Sequence, residues 1–184
     1  MSKQEGQEPE YESQRPQDEV AKNPGDDENA EESEDKALEL EADVQWRVAK
    51  SLEVLRLHLN QMFPNRSKAS DGSIGDAAHA SRNSDHNPWV DLKNNRGVVT
   101  ARDFTHDPAN GLDSGAIADR LRNSHDPRIK YIISNRRIAS SVSVDGQPPW
   151  TWRHYGGTNA HNHHFHISVL PDRTKYDDEA PWNF

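Results

Sequence analysis

The chain contains no cysteine among its 184 residues. Disulfide frameworks, thiolate metal sites and cysteine nucleophiles are therefore excluded. Glutamate is missing from a long stretch as well, because none occurs between Glu53 and Glu179. A His-Glu-x-x-His metallopeptidase motif cannot form there, and the chain also lacks a Gly-x-Ser-x-Gly elbow and a phosphate-binding glycine loop.

Long apolar runs are absent too. No stretch approaches the about 20 apolar residues that are needed to span a bilayer. The first residues, Met1-Ser2-Lys3-Gln4, lack the apolar segment of a secretory signal peptide. We expect a protein that is made in the cytoplasm, does not insert into a membrane, and needs another route to any target outside the cell.

Charge divides the chain into two parts. Residues 1–43 carry 16 acidic against 4 basic side chains, a balance of −12, whereas residues 44–184 have a balance of +3. The first part has too few apolar residues to offset the entropy cost of ordering, so we expect an acidic disordered tail. The second part is long enough for one folded domain. The small positive charge of this second part does not indicate nucleic-acid binding, but it is compatible with binding to an anionic polymer.

The residue pattern of the domain indicates an α+β fold with a small antiparallel sheet. Apolar residues at spacings of three and four predict a helix over 43–62, which begins at Asp43 and ends before Pro64. Residues 65–97 are rich in Asn, Asp, Ser and Gly, which predicts a long functional loop. We also predict strands at 98–104 and 131–134, a helix at 113–122 that is capped by Asp113, and a short extended segment at 136–138. Residues 142–144 are expected to pair across a turn, and Trp182 is expected to pack against the domain.

The most informative segment is 163–169, which reads His-His-Phe-His-Ile-Ser-Val. Side chains on a strand alternate between two faces. Phe165 and Ile167 then share an apolar face, whereas His164 and His166 share a polar one. Two imidazoles on one polar strand face are typical of a metal or catalytic site.

A hydrolytic zinc site needs three protein ligands and an open position for water. His86 lies in the long polar loop, and Asp103 lies within a valine-rich strand, where a carboxylate is costly unless it is paired or bound to a metal. With His166 they form a candidate zinc triad. The alternatives are a buried salt bridge from Asp103 to an arginine and a loop-capping role for His86.

Candidate catalytic residues surround this triad. His164 shares the polar face with His166 and is placed to act on water or on an oxyanion. His163 is the second candidate, although strand alternation places it on the opposite, packed face. Arg82 is a candidate for binding a substrate carboxylate or stabilising the oxyanion, and the alternative is a surface arginine. His161 lies where strand alternation is unreliable, and His106 could support the ligands.

These motifs resemble a known group of enzymes. A histidine after Ser-x, an aspartate on a strand and a later His-x-His resemble the zinc signature shared by lysostaphin-type peptidases, D-Ala-D-Ala carboxypeptidases and the hedgehog fold. The resemblance is closest to peptidase-like domains of phage endolysins and covers about residues 46–184. The stretches that carry it are 71–79, 84–88, 103–108, 126–131 and the histidine strand.

The resemblance implies a hedgehog-like or D,D-peptidase-like fold that holds one zinc ion per chain on His86, Asp103 and His166, with His164 as the catalytic histidine. Two departures from the pattern are visible. The gap between His86 and Asp103 is longer than in the D-Ala-D-Ala carboxypeptidases, which implies an inserted loop. Those peptidases also place a glutamate base shortly before the last ligand, where this chain has His163.

The implied function is hydrolysis of an amide bond in the stem peptide of bacterial peptidoglycan. The bond between L-Ala and D-Glu is the first choice and a D-Ala-linked bond the second. We expect a monomeric endolysin that acts at the cell wall, with peptidoglycan as its partner and no nucleic acid. The alternatives are a zinc-binding cell-wall module without activity and a zinc hydrolase of another class.

Overall fold

The structure is a computed structural model that describes residues 45–74, 84–93 and 96–184. The strands are β1 (Gln45–Val48), β2 (Val90–Lys93), β3 (Arg96–Val99), β4 (Ala101–Thr105), β5 (Ile129–Ser134), β6 (Arg137–Ser140), β7 (Arg153–His154) and β8 (His164–Val169). The helices are α1 (Lys50–Met62), α2 (Ser114–Ser124) and α3 (Arg173–Tyr176), with a 3-10 turn at Pro108–Asn110. The predicted acidic tail, residues 1–43, lies outside the described residues.

Two sheets and a few helices make an α+β architecture, as the sequence predicts. Five strands form an antiparallel sheet in the order β4-β8-β5-β6-β7. A smaller sheet has the order β1-β3-β2, in which β1 runs parallel to β3 and β2 runs antiparallel to it. The histidine strand β8 therefore lies inside the larger sheet, between β4 and β5.

The predicted helix over 43–62 is wrong at its start. Residues Gln45–Val48 form β1, and the helix begins only at Lys50. Ala49 takes the N-cap position without a side-chain hydrogen bond, and the predicted cap, Asp43, lies outside the described residues. The apolar spacing of that turn also fits a strand, and pairing with the distant β3 decides between the two because it satisfies the backbone hydrogen bonds of both strands.

The predicted strand over 98–104 is divided between two sheets. Its first residues belong to β3 and its last to β4, and the break falls at Thr100. The backbone N–H of Thr100 donates to the carbonyl of Asp85 at 3.1 Å, and its carbonyl accepts from the N–H of Val169 at 2.9 Å. The predicted loop over 65–97 likewise contains β2 and the start of β3.

Several predicted elements are present. Asp113 caps α2 by accepting from the N–H groups of Gly115 and Ala116, and Ile117 and Leu121 are buried. The predicted strands at 131–134 and 136–138 correspond to β5 and β6. The predicted pairing of 142–144 reduces to a single bridge between Val144 and Gln147.

The core lies between the larger sheet and the helices. Phe104, Phe165 and Ile167 contribute one sheet face, and they pack with the buried leucines of α1. Trp182 is docked as the sequence predicts: it is 2% exposed, and its indole N–H donates to the carbonyl of Ser51 at 2.7 Å. Among the described residues, no helix has the length and apolar content to cross a membrane.

Candidate metal centre

The register between β4 and β8 builds the first half of the site. Asp103 lies opposite His166, and Phe104 lies opposite Phe165. Directly paired residues point to the same face of a sheet, and their neighbours point to the other face. The two phenylalanine rings stack at 5.2 Å on the core side, so Asp103 and His166 meet on the opposite side.

The third side chain of the triad, His86, lies in a turn of the loop that precedes β2. The segment around His86 is tied to the break between β3 and β4, because Asp85 accepts from the backbone of Thr100. A second segment pairs with the outer edge of β4, where Gly72 and Asp103 form an antiparallel bridge. Two chain segments far apart in sequence from β8 therefore meet over its polar face.

The three side chains form a compact triangle. His86 Nε2 lies 3.0 Å from His166 Nδ1, and that nitrogen lies 3.1 Å from Asp103 Oδ1. The third side, from His86 Nε2 to Asp103 Oδ1, measures 3.5 Å. Tetrahedral zinc with bonds of about 2.0–2.1 Å separates its ligand atoms by about 3.3 Å. The triangle therefore has the dimensions of a tetrahedral zinc site with one position open.

Each histidine of the triangle is also held at its other ring nitrogen. His86 Nδ1 lies 3.0 Å from the carbonyl oxygen of Ser73, so this nitrogen carries the hydrogen. In its neutral form, His86 presents the lone pair of Nε2 to the triangle. His166 Nε2 lies 2.9 Å from Ser168 Oγ. Outer hydrogen bonds of this kind are usual for histidines that bind metals, because they fix the tautomer and the ring orientation.

Burial and charge set the protonation of these groups. Burial would raise the pKa of Asp103, but hydrogen bonds from His166 and His86 bring that pKa well below its usual range. Burial lowers the pKa of His166, and burial together with the neighbouring His166 lowers the pKa of His161 to about 3. For His86, burial is the largest influence and lowers the pKa, but the hydrogen bonds with Asp103 and Ser73 and the charges of Asp103 and Asp85 together raise it. An ionised Asp103 beside a neutral His166 is the state that a divalent cation requires.

A second group of ligand atoms shares the same carboxylate. Asp103, His161 and His164 also lie close enough to hold a cation. His164 Nε2 is 3.7 Å from Asp103 Oδ2, whereas His86 and His166 face Oδ1. This Nε2 atom is buried and has no hydrogen-bond partner among the described residues. A buried ring nitrogen without a partner is costly, which favours a role toward a bound ligand.

His161 is a site residue that strand alternation does not predict. It precedes β8, is 7% exposed and has a left-handed backbone with φ of 49°. Its Nδ1 donates to the carbonyl of Asn159 at 2.8 Å, so the lone pair lies on Nε2. The ring lies 4.9 Å from that of His164. The strained non-glycine conformation is the kind of outlier that occurs at functional sites, but it is visible only in the folded chain.

Other predicted site residues lie elsewhere. His163 is exposed and precedes β8, so the expected packed position is wrong, since the alternation of the strand begins only at His164. His106 accepts a hydrogen bond from the N–H of Ser114 at the start of α2 rather than supporting a ligand. Arg82 lies outside the described residues.

One arginine of the larger sheet lies on the same face as the triad. A row of paired residues crosses this face from His166 through Ile133 and Ile138 to Arg153. Three strand spacings amount to about 14 Å between the first and last Cα atoms. The Arg153 guanidinium donates to Ser140 Oγ at 3.2 Å and lies 3.6 Å from the exposed carboxylate of Asp145. Arg153 is therefore a cation on the site face. The sequence does not predict its position, because that position depends on the pairing of β8, β5, β6 and β7.

Comparisons with protein-family models, with curated proteins and with solved structures found no match to this chain. The geometry of the site and the order of the sequence motifs therefore carry the functional proposal.

Proposed function

We propose that the protein is a zinc-dependent hydrolase in which His86, Asp103 and His166 hold the metal. The observation that carries the proposal is the triangle of two imidazole nitrogens and one carboxylate oxygen, with sides of 3.0, 3.1 and 3.5 Å. Nitrogen and oxygen ligands of this kind suit zinc, and three protein ligands with one open position are typical of catalytic zinc. The absence of cysteine fits this ligand set.

When bound at this site, zinc would polarise a carbonyl and lower the pKa of a bound water molecule. His164 is the first candidate to accept the proton of that water or to donate to the tetrahedral oxyanion, because its buried Nε2 faces the second oxygen of Asp103. His161 is the second candidate, since its Nδ1 is occupied by Asn159 and its Nε2 keeps the lone pair. The exposed His163 is the weakest of the three.

The proposed substrate is the stem peptide of bacterial peptidoglycan. The resemblance to endolysin peptidase domains suggests this class, and the cation of Arg153 on the site face suits a short peptide that carries carboxylates. Arg82 remains a candidate for the same task. We propose the bond between L-Ala and D-Glu as the first choice, a D-Ala-linked bond as the second, and the cell wall as the place of action.

The test is to incubate the purified protein with cell walls and to identify new chain ends by mass spectrometry. New amino termini in the stem peptide, lost with a chelator and restored by zinc, are the expected result. The Asp103→Asn variant is the matched negative sample, because it loses a ligand charge with little change in volume. New reducing sugar ends without new amino groups would contradict a peptidase.

The second candidate is a zinc-binding module without turnover. Among the described residues, Asp103 is the one carboxylate in either ligand group, and it serves as a ligand rather than as a base. A histidine must therefore replace the carboxylate base that many zinc peptidases use. Tight zinc binding with retention on cell walls, but with no new chain ends, would favour this candidate.

A further inference from the structure

The carboxylate of Asp103 has a second oxygen that the proposed zinc triad does not use. His86 and His166 lie 3.5 and 3.1 Å from Oδ1. The other oxygen, Oδ2, lies 3.7 Å from His164 Nε2. One ligand atom each of Asp103, His161 and His164 lies within 4.8 Å of the other two. The carboxylate therefore lies between two pairs of histidines.

The position of His161 is fixed by hydrogen bonds of the loop rather than by a strand. In the turn between β5 and β6, the N–H of Asn135 donates to the carbonyl of His161 and the N–H of Arg136 donates to the carbonyl of Ala160, each over 2.8 Å. The Nδ1 atom of His161 donates to the carbonyl of Asn159 at 2.8 Å, so the neutral ring keeps its lone pair on Nε2. The ring is therefore held in place with a lone pair that a cation can use.

His164 supplies the second nitrogen of this group. Its Nε2 is buried and has no hydrogen-bond partner among the described residues. The ring of His161 meets the ring of His164 edge-on, with a centroid separation of 4.9 Å and an interplanar angle of 71°. A buried polar atom without a partner is costly, and binding of a cation between Asp103 Oδ2 and this nitrogen removes that cost.

From this arrangement we infer that Asp103 Oδ2, His161 and His164 form a second cation site beside the proposed zinc, and that an ion bound there prevents His164 from transferring protons. Imidazole and carboxylate ligands suit zinc and similar divalent ions. One carboxylate can hold a cation on each oxygen, and two-metal sites in enzymes place their ions about 3.5–4 Å apart. The lone pair of His164 cannot bind a cation and accept a proton at the same time. The second ion is therefore an inhibitor of the proposed hydrolysis rather than a cofactor.

Two features make the second site weaker than the first. The distance of 3.7 Å between Asp103 Oδ2 and His164 Nε2 exceeds the about 3.3 Å between the ligand atoms of tetrahedral zinc, so these side chains must move to close around an ion. The single charge of Asp103 is also shared between two divalent cations, which repel each other. Among the described residues, no other carboxylate belongs to either ligand group. The first ion therefore binds at low metal concentration and the second only in excess.

This inference rests on the proposed metal site, and metal stoichiometry tests it without any need for turnover. Equilibrium dialysis of the full chain against zinc should show one tightly bound ion and a second with a dissociation constant at least about tenfold larger, because the two ions repel each other. His161→Gln and His164→Gln should each keep the tight ion and lose the second. His163→Ala is the matched control and should keep both, since this neighbouring histidine is exposed and belongs to neither ligand group.

Cobalt distinguishes a shared carboxylate from a separate surface site. Two Co²⁺ ions bridged by Asp103 should give magnetically coupled signals in electron paramagnetic resonance, whereas an ion on a distant histidine leaves the signals independent. The coupling should be present in the parent and in His163→Ala, and absent from His161→Gln and His164→Gln. The thermal midpoint of each variant with one equivalent of metal shows whether it is folded.

The outcomes separate the second site from the proposed function. A parent protein that binds one tight ion without a second, coupled ion would overturn the inference, and so would a coupled ion that survives in folded His161→Gln and His164→Gln. Release of amino termini from cell walls should rise with the first equivalent of zinc and fall as the second site fills, and hydrolysis that does not fall would overturn the inhibitory role. A parent that binds no tight ion would contradict the proposed metal site itself. Two coupled ions without any hydrolysis would support the second site and contradict only the enzymatic function.

Discussion

The two carboxylate oxygens of Asp103 face different surroundings. On the Oδ1 side, His86 and His166 are each held at the outer ring nitrogen, by Ser73 and Ser168. On the Oδ2 side, His164 has a buried Nε2 that lacks a partner among the described residues. Ligands gain from rigid outer support, whereas a group that transfers protons must keep one nitrogen available. The difference fits the proposed division of roles, in which the Oδ1 side holds the metal and His164 on the Oδ2 side transfers protons.

The largest effect is expected when one of the three proposed zinc ligands is removed. His86→Ala, Asp103→Ala and His166→Ala should each lower the zinc content from about one per chain to near zero, and activity should disappear with it. Elemental analysis of the purified variants measures this directly. Full zinc occupancy in all three variants would show that the ligand set is wrong.

The next effect concerns the Oδ2 side. His164→Ala should keep its zinc but lose roughly a hundredfold or more in rate, which is the usual scale for a positioned acid–base group. His163→Ala is the control, because that side chain is exposed at the start of the strand. Retained activity in His164→Ala together with loss in His163→Ala would reverse the assignment of the two histidines.

A smaller effect concerns the stability of the metal-free protein at low pH. The pKa of His161 is lowered to about 3 in the fold by burial and by the neighbouring His166 and His164, against about 6.5 in an unfolded chain. A depressed pKa gives stability that is present above about pH 6.5 and lost as the pH falls toward about 3. His161→Gln should therefore flatten this decline in the free energy of unfolding.

The comparison must be made as a difference between parent and variant, because other groups titrate in the same range. The raised pKa of His86 acts in the opposite direction, since its contribution is present at low pH and is lost as the pH rises through its folded pKa. Denaturant unfolding at several pH values, with a chelator present throughout, measures the free energy of unfolding of the parent and of His161→Gln. Identical pH profiles for parent and His161→Gln would contradict the prediction.

The smallest effect is expected from the tail. Deletion of residues 1–42 should leave the thermal midpoint and cell-wall activity nearly unchanged, because every core residue of the described structure lies between Ala49 and Trp182. Thermal unfolding of the parent and the truncated protein is a sufficient measurement. A large drop in the midpoint would show that the acidic segment docks on the domain.

Strand alternation in β8 is the part of the site that local sequence predicts well. Alternate residues separate Phe165 and Ile167 from His164 and His166, and the structure places the two pairs on opposite faces of one sheet. Asp103 is also predictable, since a carboxylate inside an apolar strand needs a partner. The alternation begins only at His164, so it gives the wrong face for His163 and no face for His161.

The sequence by itself determined which ligand atoms a metal site could use and the approximate fold. Without cysteine, only nitrogen and oxygen ligands remain, and the periodicity of short segments indicated an α+β domain with a histidine strand. Tertiary structure decided the first strand, the approach of His86 to β8, the second histidine pair on Asp103 and the hydrogen bond between His86 and Ser73. Local patterns report which face of a strand is polar. Distant segments meet only because backbone pairing and core packing bring them together, and no short window of sequence contains both partners.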